Sequence, residues 1–205
     1  VLSDNDGITH LELSTGDKIS ADLYIDCTGF RSFLLEQSLD VKQVSINGLL
    51  PCDKAVAIPT AYTNPEEQCH PYTKATAMTA GWRWTIPTFQ RIGHGYVYSS
   101  NFISKADAEK ELRDAIGEHD APALHLDMRC GYKEEIAIKN VLGVGLSAGF
   151  VEPLEATGIT FTTKTVEMLA YYLNGFENEF NNEVKRNINE FFVDMVQEII
   201  SNTYE

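Results

Sequence analysis

A carboxylate, a threonine and a glycine occur close together in the stretch NVLGVGLSAGFVEPLEATGI, residues 140–159. Glu155 is the carboxylate, and Thr157 and Gly158 come just before a segment whose apolar residues recur at helical spacing. The first N–H groups of a helix have no partner inside it, and the helix dipole is positive there. The pattern therefore predicts a place for an anion at this helix N-terminus, with the carboxylate of Glu155 beside it.

A run of small residues precedes that segment. Val141–Val144 is predicted to be a short apolar strand, and small residues follow it at Gly145, Ser147 and Gly149. Because glycine has no Cβ, such a run allows a backbone to approach a flat ligand closely. The pattern predicts a ligand-facing loop, then a second loop at residues 154–158, then a helix.

The same run nominally matches the dinucleotide fingerprint G-x-G-x-x-G/A, from Gly143 to Ala148. That fingerprint needs a helix and then a second strand that ends in an acidic residue about 20 positions on. The acidic residue at that distance, Glu167, lies inside a predicted helix. We therefore reject this match as a pyrophosphate-binding site.

Two further stretches could border a ligand. In GWRWTIP, residues 81–87, strand alternation places Trp82, Trp84 and Ile86 on one face. In ADLYIDCTGF, residues 21–30, a strand leads into a turn at Thr28 and Gly29. Two large aromatic residues at this spacing are also what an ordinary buried core requires, so the pattern alone does not decide between ligand contact and packing.

Taken together and in this order, the three stretches resemble the flavin-dependent halogenases, in particular the tryptophan halogenase family. GWRWTIP is similar to the W-x-W-x-I-P signature of that family, and the resemblance covers roughly residues 1–175. It implies a mixed α/β fold, part of an FAD/NAD(P)-binding, flavin-monooxygenase-like architecture. Residues 54–100 would form an antiparallel substrate-side sheet, residues 140–159 the flavin and halide loop, and residues 176–205 the start of a helical C-terminal lobe.

The family carries a G-x-G-x-x-G fingerprint near its start and an active-site lysine in the same half, and neither motif is found here. The chain also begins in the middle of a strand pattern. We therefore expect the C-terminal portion of a longer enzyme, inactive alone.

The resemblance also implies a chemistry. Reduced FAD from a separate flavin reductase reacts with oxygen to a flavin hydroperoxide, halide attacks it, and hypohalous acid reaches a lysine near a small aromatic, tryptophan- or indole-like substrate. Glu155 is the implied catalytic carboxylate, and Thr157 and Gly158 hold the halide. The implied cofactor-binding residues are Thr28, Gly29, Gly145, Ser147, Ala148, Gly149 and Ile159. The implied screen between flavin and substrate consists of Trp82, Trp84, Ile86 and Pro87.

One position departs from the family pattern. Tryptophan halogenases commonly read E-S-T-G where this chain has Ala156 between Glu155 and Thr157. The missing hydroxyl leaves open whether free tryptophan is the substrate. Two alternatives also stay open: a flavin-dependent monooxygenase of the same architecture that hydroxylates its substrate, and a non-catalytic truncated scaffold.

Composition limits the partners. The net charge of −14 argues against nucleic acid or an anionic membrane, and no apolar run is long enough to span a bilayer. The four cysteines have no metal-ligand spacing, so we expect no metal site and a cytoplasmic protein. The oligomeric state, with a homodimer as one option, is left open.

Local patterns predict the remaining elements. A hairpin of Ile8–Ser14 and Ile19–Ile25 should join Val141–Val144 in one mixed sheet. A helix should begin after Ser104 and end at Gly117. Further strands are expected at residues 54–61, 73–80, 82–86, 95–100, 124–131 and 136–144, and further helices at residues 31–37, 159–174 and from Phe180 onwards. The turn at Thr28 and the glycine loop should lie close together.

Overall fold

The computed structural model describes residues 2–4, 6–151, 157–175 and 179–203, apart from the side chains of residues 2–4, 202 and 203. The chain divides into two compact units. The first unit contains residues 1–46 and 130–205, and the second contains residues 47–129.

The described residues of the first unit form three small sheets. One is antiparallel, in the order β1 (Leu2–Asp4), β2 (Gly7–Glu12), β3 (Lys18–Ile19). The second is mixed: β4 (Tyr24–Asp26) runs parallel to β13 (Val141–Gly143), which pairs on its other side with the antiparallel β12 (Ala137–Ile138). In the third, β11 (Gly131–Lys133) lies between β5 (Gln43–Ser45) and β14 (Gly149–Phe150).

The predicted second arm of the hairpin, Ile19–Ile25, is wrong as one strand. The chain leaves the first sheet after Ile19 and enters the mixed sheet at Tyr24. The Tyr24 hydroxyl accepts a hydrogen bond from Ala21 N at 2.9 Å and lies 3.4 Å from the carbonyl oxygen of Ile19. Because this side chain holds the bend between the two strands, only Tyr24–Asp26 pairs with the strand at Val141.

The two long strands predicted at residues 124–131 and 136–144 are also each divided. Asp127 ends a strand of the second unit, while Gly131 begins β11 of the first. The other predicted strand folds into the hairpin β12–β13, whose turn contains Lys139 at a φ of 52°. Alternation along a strand does not mark such a change of partner.

The core of the first unit packs around the mixed sheet. A one-turn 3₁₀ helix, Gly29–Arg31, and a π-helical segment, Phe33–Ser38, follow β4, in agreement with the short helix predicted there. The buried cluster consists of Ile8, Tyr24, Leu34, Leu35, Val41 and Val141.

Two long helices complete this unit: α3 (Thr157–Asn174) and α4 (Asn182–Thr203). The rings of Phe161 and Phe192 meet with their centroids 5.6 Å apart. The apolar spacing predicted for α4 is confirmed, since Val184, Ile188 and Phe192 are buried. The domain boundary predicted at residues 175 and 176 stays a prediction.

The second unit is built on one antiparallel sheet, confirming the layer predicted at residues 54–100. The strand order is β10 (Leu124–Asp127), β6 (Lys54–Thr60), β9 (Ile92–Tyr98), β8 (Gly81–Pro87), β7 (Lys74–Met78). A short helix, α1 (Pro65–Gln68), lies in the connection between β6 and β7.

The helix predicted after Ser104 is confirmed as α2 (Lys105–Ile116). The Ser104 hydroxyl accepts a hydrogen bond from Asp107 N at 3.2 Å, and Gly117 ends the helix with a φ of 68°. The helix covers one face of the sheet, where Val56, Ile58, Tyr96, Tyr98, Ala108 and Leu112 form a buried cluster.

The described residues of the chain include neither a helix suited to span a membrane nor a cluster suited to hold a metal ion. Within the described ranges, every helix is too short or too polar to cross a bilayer. In the same ranges, no group of three or more histidine, cysteine or carboxylate side chains could hold a metal ion.

Candidate functional site

The turn after β4 is organised by a carboxylate with no exposed surface, Asp26. Its Oδ1 accepts hydrogen bonds from the N–H of Thr28 at 3.0 Å and from the Thr28 hydroxyl at 2.6 Å. Its Oδ2 accepts from the N–H groups of Leu34 at 2.8 Å and Leu35 at 3.0 Å. A buried carboxylate is costly unless such donors surround it. Sequence reasoning assigned no role to Asp26, although this residue begins the sequence D-x-T-G, residues 26–29, that contains the predicted turn at Thr28 and Gly29.

The same residue connects this turn to the glycine loop. Its carbonyl oxygen accepts hydrogen bonds from Val144 N at 3.0 Å and from the Ser147 hydroxyl. The Ser32 hydroxyl donates to Ser147 O at 3.0 Å, across 115 positions of sequence. The predicted proximity of the Thr28 turn and the glycine loop is therefore confirmed.

The glycines of the loop do not all serve the same purpose. A Cβ at Gly143 would lie 2.3 Å from Leu35 Cδ1, and one at Gly149 would lie 3.0 Å from the carbonyl oxygen of Gly131. These two glycines are needed for packing inside the protein. Gly145 has a φ of 70°, which favours glycine whatever the surrounding space.

Some of the predicted cofactor-binding side chains are already occupied. Ser147 and Ala148 are buried, and the Ser147 hydroxyl is used within the loop. The Thr28 hydroxyl donates to Asp26 and accepts from Phe33 N at 2.7 Å. The roles of these residues in cofactor binding stay predictions, and any contact from Thr28 or Ser147 would have to involve the main chain.

The predicted anion site lies at the beginning of α3. Thr157 and Gly158 are the first two described residues of this helix, so they are helical and do not belong to a preceding loop as predicted. Thr157 Oγ1 is buried and has no hydrogen-bond partner within the described ranges. A Cβ at Gly158 would meet nothing within 4 Å. Glu155 and Ala156 lie outside the described residues.

Ile159, predicted to bind the cofactor, is the third residue of α3. Its side chain is 72% exposed, whereas Phe161 and Thr165 form the buried side of the helix. Ile159 is therefore accessible to a ligand, and its role stays a prediction.

The two tryptophans share one face of the second unit's sheet, as predicted. Trp82 pairs with Val97 and Trp84 with Gly95, and the two ring systems lie 6.1 Å apart at an interplanar angle of 59°. Both are half-buried, while Ile86 on the same face is 39% exposed. Pro87 ends the strand opposite Ile92. This face is thus not a closed core.

Several solved halogenase structures superpose on this chain. The tryptophan 6-halogenase of Streptomyces toxytricini superposes with a TM-score of 0.91 at 38% identity, over 98% of this chain and 39% of that one. A flavin-dependent halogenase from a Brevundimonas species superposes with a TM-score of 0.87 at 31% identity, over 98% of this chain and 41% of that one.

The chain belongs to the tryptophan halogenase family, whose model matches residues 1–204. The curated Streptomyces toxytricini enzyme is 45% identical over 170 residues, or 82% of this chain and 32% of the relative. A 7-chloro-L-tryptophan 6-halogenase from a Kutzneria species is 44% identical over 164 residues, or 79% of this chain and 32% of the relative. The chain thus spans about a third of the length of these relatives.

Proposed function

We propose that this chain contributes the halide site and part of the cofactor site to an FAD-dependent halogenase acting on an aromatic, tryptophan- or indole-like substrate. The observation that carries the proposal is the first turn of α3. A buried Thr157 hydroxyl without a described partner lies there beside the main chain of Gly158.

The first turn of α3 has the properties of a halide site. The N–H groups of Thr157 and Gly158 belong to the first turn of an 18-residue helix, where no intrahelical partner exists and the dipole favours an anion. Elsewhere the chain is strongly acidic, with a net charge of −14, so a halide needs such a local donor cluster.

The residues near the D-x-T-G turn fit a flavin. A Cβ at Gly29 would meet nothing within 4 Å, and one at Gly145 would meet only Thr162 Oγ1, at an ordinary 3.5 Å. Main chain at Gly29, Gly145 and Gly149 would hold the cofactor, with Thr28, Ser147 and Ala148 fixing its position and Ile159 adding an apolar contact. Once bound and reduced by a separate reductase, FAD would supply, with O₂ as the oxidant, the oxidation of halide to hypohalous acid.

The remaining residues act on the substrate side in this proposal. Glu155 accepts the proton that the aromatic ring loses when the halogen is attached. Trp82 and Trp84, with Ile86 and Pro87, separate flavin from substrate, so that the ring is halogenated and not hydroxylated.

Chloride binding tests the halide site on the chain itself. The ³⁵Cl NMR line of a chloride solution should broaden when the protein is added, and the broadening should be competed by bromide. Gly158→Pro removes one donor, yet proline is tolerated in the first turn of a helix. We expect this variant to lose the broadening while its circular dichroism is unchanged.

A matched control exists in the second unit. Ala106 is the second residue of α2, as Gly158 is of α3. Ala106→Pro should leave the chloride broadening intact. Equal loss in both variants, or none in either, would contradict the halide site.

The activity is tested in a chimera. The 170-residue stretch of this chain that aligns with the Streptomyces toxytricini enzyme would replace the matching segment of that enzyme, which supplies the rest of the protein. With FAD, a flavin reductase, chloride and tryptophan, mass spectrometry should detect a chlorinated product. A hydroxylated product independent of chloride would favour the monooxygenase, and a folded, flavin-bound chimera without either product would favour the scaffold.

A further inference from the structure

The chain contains two Asn-Gly dipeptides, Asn47-Gly48 and Asn174-Gly175. In such a dipeptide the glycine nitrogen can attack the amide carbon of the preceding side chain, because glycine has no Cβ to obstruct the approach. The reaction needs an exposed and adaptable main chain, since the asparagine must rotate until its Cγ faces that nitrogen. The two dipeptides have the same covalent structure, so their surroundings decide which of them reacts.

Asn47 and Gly48 lie in a turn that follows β5. Both residues are exposed, whereas Ile46 before them and Leu50 after them are buried. A Cβ at Gly48 would meet nothing within 4 Å, so the space around the attacking nitrogen is open. Within the described ranges Gly48 N donates no hydrogen bond, so no partner holds it away from the side chain. The turn therefore leaves the nucleophile free.

Asn174 and Gly175 have the opposite surroundings. Asn174 is the last residue of α3, and its Nδ2 donates a hydrogen bond to Ala170 O at 2.9 Å, one turn back along the helix. A Cβ at Gly175 would lie 2.8 Å from Tyr171 O, so the main chain is closely packed there. Attack on the Asn174 amide would require that this residue leave the helix and break its hydrogen bond.

We propose that Asn47 is a site of spontaneous main-chain modification, through a succinimide, and that Asn174 is protected. Gly48 N gives its proton to water and forms a bond to Cγ of Asn47. The bond from Cγ to Nδ2 breaks, and ammonia leaves with a proton taken from water. Water then opens the five-membered ring at either carbonyl group. The products are aspartate and isoaspartate, and water is the single co-reactant.

Both products change the connection at which the chain enters the second unit, since Asn47 is the first residue of that unit. Each adds a negative charge to a chain whose net charge is already −14. Isoaspartate also adds one carbon to the main chain between the buried residues Ile46 and Leu50. The inference uses no residue of the halide or cofactor sites and does not rest on the halogenase proposal.

Ageing of the folded 205-residue protein at mildly alkaline pH tests the site. Trypsin yields residues 43–54, in which Asn47 is the single asparagine, and residues 165–185, which contain Asn174. Mass spectrometry of these peptides, against an unaged sample, measures the exchange of amide for acid. It should be at least about tenfold faster at Asn47, because Asn174 must first break a hydrogen bond and leave its helix. An isoaspartyl methyltransferase with a labelled methyl donor should label the first peptide.

Two controls separate structure from sequence. In guanidinium chloride the helix is lost, so Asn174 should react at nearly the rate of Asn47. Gly48→Ala places its methyl group in open space, so circular dichroism should be unchanged while the loss of amide at Asn47 falls to nearly that at Asn174. Equal rates at the two sites in the folded protein, a faster rate at Asn174, or a rate at Asn47 unaffected by Gly48→Ala would each overturn the proposal.

Discussion

Asn189 and Ala137 exchange two hydrogen bonds in the way that paired residues of neighbouring strands do. Asn189 Oδ1 accepts from Ala137 N at 2.8 Å, and its Nδ2 donates to Ala137 O at 2.9 Å. The same Oδ1 also accepts from Ile136 N at 2.8 Å. A side chain on α4 thus takes the place of a missing strand beside β12, whose edge would otherwise be open.

Removing this amide should destabilise the first unit. Asn189→Leu keeps the approximate size but leaves the N–H groups of Ile136 and Ala137 and the carbonyl of Ala137 without partners, at about 1–3 kcal/mol each if they stay buried. We expect a loss of at least about 2 kcal/mol in urea unfolding. Asn174→Leu, which removes an exposed bond to Ala170 O on α3, should cost much less. Equal losses of stability in the two variants would show that the hydrogen bonds between Asn189 and residues 136 and 137 contribute no more than an exposed hydrogen bond.

Asp26→Asn should be strongly destabilising although it is isosteric. An amide accepts through one oxygen only, and its NH₂ group would face the N–H groups of Leu34 and Leu35 or the donors of Thr28. We expect a loss of about 3 kcal/mol or more, since bonds to a charged acceptor are worth about 1.5–3 kcal/mol each. Thermal unfolding would measure it, with the exposed Asp22→Asn as a nearly silent control. Wild-type stability of Asp26→Asn would mean that the four donors find water instead.

Two glycine-to-alanine substitutions should change the free energy of unfolding in opposite directions. Gly143→Ala places a methyl group 2.3 Å from Leu35 Cδ1 in the core and should cost about 1–3 kcal/mol. Gly158→Ala meets nothing and lies in a helix, where alanine is favoured by up to about 1 kcal/mol. Denaturant midpoints of the two variants would show both effects. A stabilised Gly143→Ala would mean that the loop has room for a ligand at that position.

Glu109 should make stability depend on pH. Hydrogen bonds from Arg113 at 2.9 Å and from His125 at 2.7 Å lower the pKa of this carboxyl group. The contribution of Glu109 to stability is therefore fully present above the unfolded-state pKa, about 4.3, and is lost as the pH falls through the lower folded-state pKa. Glu109→Gln should melt below wild type at neutral pH, and the two should converge in acid. Glu67→Gln, an exposed acid of the same unit, should show no such convergence.

Glu155 is tested in the chimera. Glu155→Gln should leave flavin binding and oxygen consumption nearly unchanged, because those steps occur at the cofactor. Chlorinated product should fall by at least about 10²-fold, the usual effect of losing a positioned general base. Product within a few-fold of the parent chimera would identify Glu155 as an ordinary carboxylate.

How well each feature could be predicted from the sequence depended on how far apart along the chain its interacting residues lie. Helix α2 was predicted completely because its signals, Ser104, Asp107 and Gly117, are local. The antiparallel layer at residues 54–100 was predicted because alternation along a strand reports one buried face, but the pairing of β10 with this layer was not predicted. The bend before Tyr24 was not, because it depends on where one hydroxyl finds its partners. The role of Asp26 was missed for a similar reason, since its partners Leu34 and Leu35 become neighbours only after the chain turns inward.

The glycine loop illustrates the same limit on prediction from sequence. Its residue types suggested one purpose, close approach to a flat ligand. The structure separates them into glycines that accommodate Leu35 and the main chain at Gly131, and one, Gly145, required by its backbone angle. Contacts distant in sequence, together with the backbone angle of Gly145, distinguish these cases.

The pairing of β5 with β11 has a consequence for how the molecule assembles. Ile46 N donates to Cys130 O at 3.2 Å, so the chain leaves the first unit and returns to it through adjacent antiparallel strands. Residues 47–129 are therefore an insertion between the two strands of what is topologically a hairpin. Closing that hairpin costs more chain entropy when the inserted segment is longer and more flexible. Prior folding of the second unit would shorten the effective length of the segment and reduce this cost. A two-residue turn in place of residues 47–129 should let the first unit form faster, without the second.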